Sequence, residues 1–157
     1  MIKQIACVSA VAVTLMGCQP ASQSLAEATT DSSAAVSPQV ASFETFKTMC
    51  LNNIDQPQKI IEAGNRAGFN MRSLAPESAM GFRLSSDESL QVNAFTRKDF
   101  ECAVTTSDIS DPASVTRAFF AMLGITHRGN VGTKTINGTQ YSFLHDTNGG
   151  EAFVVFR

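Results

Sequence analysis

A break in composition near residue 40 decides which part of this chain can build a fold. Ahead of it, residues 5–16 form an apolar run, and residues 19–40 read QPASQSLAEATTDSSAAVSPQV, rich in Ser, Ala, Thr and Pro without an aromatic residue. The run lacks the polar/apolar alternation of a core helix and, at about 12 residues, falls short of the ~20 needed to cross a bilayer. The polar segment buries too little apolar area to offset the entropy of ordering it. A packed core must therefore come from residues 41–157, a size that one domain serves.

The first residues follow the order of a secretory signal: the single cation Lys3, the apolar run, then Leu15-Met16-Gly17-Cys18. With Leu15 three residues before the cysteine and Gly17 just before it, this end resembles the lipobox of bacterial lipoprotein precursors. Met16 departs from the small or β-branched residue more common there, and one lysine is a sparse basic start. The resemblance covers residues 1–18 only. It implies removal of residues 1–17 and acylation of Cys18, with residues 18–40 left as a flexible tether of r.m.s. span about 25 Å. Buried acyl methylenes contribute about 0.8 kcal/mol each, so several chains make release negligible. Gln19, rather than Asp, after that cysteine implies an address at the outer membrane. The domain is expected to face the periplasm. The rival reading is a plain secretory signal, which leaves Cys18 as an odd exposed thiol.

The chain has 4 cysteines. Cys7 leaves with the signal and Cys18 carries lipid, so Cys50 and Cys102 remain. An even remainder in an oxidising compartment points to one disulfide, and two buried free thiols are the alternative. Closing a loop of about 50 residues removes about 4 kcal/mol of freedom from the unfolded chain on the entropic model.

With 11 Phe, 1 Tyr and no Trp, the core is expected to be dry and aromatic. Ser42 is read as the cap of a helix with Phe43, Phe46, Cys50 and Ile54 inward. A second helix starts at Pro57, runs through Ile60, Ile61, Ala63 and Ala67, and ends at Gly68. Residues 69–88 read as an irregular connection. Strands follow at 90–95 and 100–104, with Phe100, Cys102 and Val104 inward. The third helix is the clearest, capped by Asp111, opened by Pro112 and closed by Gly124, with Val115, Ala118, Phe119 and Met122 as its stripe. Residues 133–136 and 139–145, joined by Asn137-Gly138, predict a type I′ hairpin, and 152–157 a last strand. The expected fold is α+β: a single small domain, helices on one face of a mainly antiparallel sheet that ends in a three-stranded meander.

No catalytic signature stands out. A net charge of −2 without a basic stripe argues against nucleic acid. His127 and His145 have no i+4 partner, so no metal site is expected. His145-Asp146 lacks an evident nucleophile, and both histidines read as exposed residues at element ends. Glu62, Glu77, Glu88, Glu101 and Glu151 have no context that selects a catalytic pair. No phosphate cradle opens a helix, so no cofactor is expected. The segment 69–84, FNMRSLAPESAMGFRL, is long for a connection and carries Met71, Arg72, Met80, Phe82 and Arg83. It reads either as a lid over the core or as an adaptable binding loop. The function expected is a lipid-anchored envelope protein, non-catalytic, that binds an envelope protein partner. The alternatives are a small hydrolase of peptidoglycan or another envelope polymer, and a structural lipoprotein.

Overall fold

The structure, a computed structural model, describes residues 38–94, 99–107, 111–148 and 150–157, with side chains from Ser42 onward. The expected signal, Cys18 and the tether up to residue 37 lie outside the described residues. Three α-helices, α1 (Pro38–Phe46), α2 (Pro57–Arg66) and α3 (Pro112–Leu123), accompany strands β1 (Arg72–Ala75), β2 (Ser78–Arg83), β3 (Glu88–Ala94), β4 (Phe100–Thr106), β5 (His127–Arg128), β6 (Val131–Ile136), β7 (Thr139–Asp146) and β8 (Glu151–Phe156). A π-helical turn, Lys47–Leu51, extends α1. The strands form one open sheet in the order β1-β2-β3-β4-β8-β7-β6-β5, antiparallel throughout. The domain is α+β. α1, the π-helical turn and α2 precede the meander β1–β4, α3 precedes the meander β5–β8, and the two meanders join where β4 pairs with β8.

Local chemistry sets the element ends. Pro57 and Pro112 open α2 and α3, where a missing N–H leaves no bond unmade. Asp111 caps α3 by accepting from Ala113 N at 3.2 Å. Both α2 and α3 end in a Schellman turn on a left-handed glycine. Gly68 (φ 85°) places Phe69 N on Gly64 O, and Gly124 (φ 64°) places Ile125 N on Phe120 O. Asn137 and Gly138 both take positive φ, as a type I′ turn requires.

Alternation then sorts the strands. Leu90, Val92, Cys102, Val104, Phe143, Phe153 and Val155 point inward and meet Phe46, Ile60, Phe119 and Phe120 from the helices in one core. Phe119 is its hub, with ring centroids 5.3 Å from Phe46 and 5.1 Å from both Phe120 and Phe153. Cys50 and Cys102 form the expected disulfide, both fully buried, pinning the π-helical turn to β4.

Four expectations are corrected. Ser42 lies inside α1 rather than at its cap, because residues 38–41 ahead of it are already helical. Ala118 is exposed, and the buried stripe of α3 is Val115, Phe119, Phe120 and Leu123. The C-terminal meander has four strands, with the two-residue β5 at its edge. Residues 69–88 are not an irregular connection but contain the hairpin β1–β2, turned at Pro76 and Glu77.

Candidate functional site

The β1–β2 hairpin divides the segment singled out from sequence into two faces. On the core side, Gly81 has no side chain, and Met71 fills that space, in contact with the core. Arg83 also turns inward. Its Nε donates to Ser86 Oγ at 2.8 Å, its Nη1 to Ala67 O at 3.3 Å, and its guanidinium lies 4.7 Å from the Phe69 ring centroid. Its Nη2 pairs with Glu88, which is buried and also accepts from Ser42 Oγ at 3.0 Å, Ser86 Oγ at 2.9 Å and Thr45 Oγ1 at 3.3 Å. Met71 and Arg83 are therefore part of the packing, the lid half of the sequence reading.

The other side faces solvent. Register places Arg72 beside Met80, and alternation puts Phe82 on the same face. Leu84 is 87% exposed, Leu74 60%, Phe82 44% and Met80 42%. Four large apolar side chains on or next to this hairpin are thus left open to solvent. Phe82 is the wall between two hollows. One, about 420 Å³, is lined by Asn70, Arg72, Leu74, Met80 and Leu84. The other, about 330 Å³, is polar and includes Asp87, Ser89, Thr105 and Ser107. Arg72 forms no ion pair among the described residues, whereas Asp87 accepts from Ser107 Oγ.

Met80, Gln91, Ala103, Val154, Leu144 and Val131 are successive register partners on the face away from the core. No described element covers this row. The three helices all pack on the opposite face.

His145 is not an exposed end residue; it is 1% exposed. It falls in the inward set of β7, under α3, and stacks on Phe153 at 5.1 Å. Thr116 Oγ1 lies 2.8 Å from both Pro112 O and His145 Nδ1. The other ring nitrogen, Nε2, is buried without a hydrogen-bond partner among the described residues. Burial pushes the His145 pKa below its usual value, partly opposed by Asp146. Asp146 pairs with Ala152 on the opposite face of β7, so the two do not converge. His127 is exposed, as expected, and stacks on Phe120 at 4.4 Å. Among the described residues, no group of three or more His, Cys, Asp or Glu is placed to hold a metal.

Two structural acids went unread in the sequence. Asp55 takes the Tyr141 hydroxyl and Arg157 Nη1 (3.0 Å), tying the C-terminal strand to the α1–α2 connection. Burial, and then the Asp55 hydrogen bond, raise the Tyr141 pKa. Glu88 had a signal: it precedes Leu90 and Val92 at even spacing, which places it on the buried face. No helix among the described residues is long and apolar enough to cross a membrane. No protein-family model, curated protein or solved structure matches the chain.

Proposed function

We propose that this chain is a lipid-anchored cell-envelope protein, held at the outer membrane through Cys18, whose domain binds a protein partner on its open sheet face. The observation that supports binding is the outward patch of Leu74, Met80, Phe82 and Leu84 beside Arg72. Met and Phe there supply adaptable apolar contact, and Arg is favoured at interfaces. The address rests on residues 1–18 and on the buried disulfide, which suits an oxidising compartment.

The test is affinity capture from cross-linked envelopes with the wild-type chain and a Met80→Ser, Phe82→Ser double variant. The variant is expected to melt within a few degrees of wild type and to lose the cross-linked partner. Equal capture by both refutes the surface. Mass spectrometry of the natural protein tests the address: an unmodified thiol at Cys18, or an uncleaved leader, refutes it.

A further inference from the structure

We infer that the partner of this face is a second copy of the same chain, docked about a two-fold axis through Phe82. This rests on the reading of the patch as a protein-binding surface.

A closed two-fold contact sets the same patch against itself, so any charge off the axis must find its opposite on the mirrored side. The patch meets that condition. Arg72 lies one strand over from Phe82, beside Met80. Asp87 lies on the other side, leading into β3 just before Ser89, the register partner of Phe82. On ordinary strand spacings Arg72 lies about 8 Å from Phe82, and Asp87, in the turn that leads into β3, lies toward the opposite side. Each also lines a hollow that Phe82 walls, Arg72 the larger and Asp87 the smaller. An axis in the plane of the face, crossing the Arg72–Asp87 line at Phe82, stacks Phe82 on its counterpart. It also sets Arg72 of each copy against Asp87 of the other. Neither residue has an ion-pair partner among the described residues, so both charges are available for this use. A partner of uniformly acidic or basic surface would leave one of the two opposed by a like charge.

The experiment uses two differently tagged copies of the full chain, co-expressed and extracted in mild detergent. Capture of one tag is expected to recover the other. Phe82→Ser, Arg72→Glu and Asp87→Lys are each expected to reduce that recovery at least tenfold. The combination of Arg72→Glu with Asp87→Lys is expected to restore it, because the pairs re-form with signs exchanged. Asp87 has φ of 49°, so Asp87→Asn, which suits that conformation, serves as a second charge-removing variant, with thermal melts confirming that each variant folds. Absence of co-capture, or co-capture indifferent to these substitutions, overturns the two-fold contact. If a different envelope protein is instead captured through Phe82, the self-association is refuted while the protein-binding reading stands. Loss of neither self-capture nor any partner on Phe82→Ser refutes both.

Discussion

Met71 packs across Gly81, and the space it fills is the missing side chain. A methyl group on Gly81 would overlap Met71 Sδ and approach Met71 Cα to 3.1 Å. The consequence reaches the other side of the hairpin. With Met71 seated inward, Arg72, Leu74, Met80 and Phe82 share one outward face, despite a register shift between Ser73 and Ala75.

Gly81→Ala is therefore expected to destabilise the domain by about 1–3 kcal/mol, the range for overpacking a filled site. Denaturant unfolding measures it. A loss below 0.5 kcal/mol would mean that Met71 moves aside freely. Gly81→Ala combined with Met71→Ala should recover part of the loss, since the two residues compete for one volume.

Glu88 holds Arg83, Ser42, Thr45 and Ser86 at a single buried carboxylate. Glu88→Ala leaves a mostly buried guanidinium without its countercharge, which removes about 3 kcal/mol or more. The double variant Arg83→Met, Glu88→Leu is expected to be more stable than Glu88→Ala alone. Melting temperatures decide the order; the reverse order would show that the pair is replaceable by water.

How far the sequence reveals this fold depends on what its residues do locally. The third helix and the Asn137-Gly138 turn were readable because Asp111, Pro112, Gly124 and the glycine after Asn137 act on their immediate neighbours, and the disulfide because two cysteines remained to pair. The β1–β2 hairpin was not. Pro76 and Gly81 ordinarily mark breaks, yet here Pro76 forms the turn itself and Gly81 admits Met71, a contact set by tertiary packing. The same limit hid the outward face of the hairpin. Met71, Arg72, Met80, Phe82 and Arg83 stand in one stretch of sequence, and only the pairing of β1 with β2 separates those that pack from those that face solvent. His145 was misread because its strand end looked terminal, while α3 covers it in space.

Glu77 takes φ of 60° in the turn beside Pro76, a conformation that favours glycine or asparagine. Glu77→Gly is expected to stabilise the domain by a few tenths of a kcal/mol to about 1 kcal/mol, because relief of left-handed strain outweighs the added freedom of the unfolded chain. A rise in the denaturation midpoint at unchanged slope confirms it; a fall would mean that the Glu77 side chain holds the turn.

His145 gives the domain a pH dependence whose sign follows from its burial. Its pKa is lowered in the folded protein, so the unfolded chain takes up the proton first as pH falls. Stability from the neutral ring is thus fully present above about pH 6.5, the ordinary value, and declines as pH drops toward the depressed folded value. The decline cannot exceed about 1.4 kcal/mol per pH unit for one proton. Below the folded value it levels off, as the ring beneath Thr116 and Phe153 becomes charged in both states. Melting temperatures across pH 4–8 are expected to show that fall in the wild type and a flatter profile in His145→Gln, at lower overall stability. Because carboxylates also protonate at the acid end, the comparison belongs between pH 5 and 7. Identical slopes for both proteins in that window would mean that the histidine titrates alike folded and unfolded, and that α3 does not seal it from water.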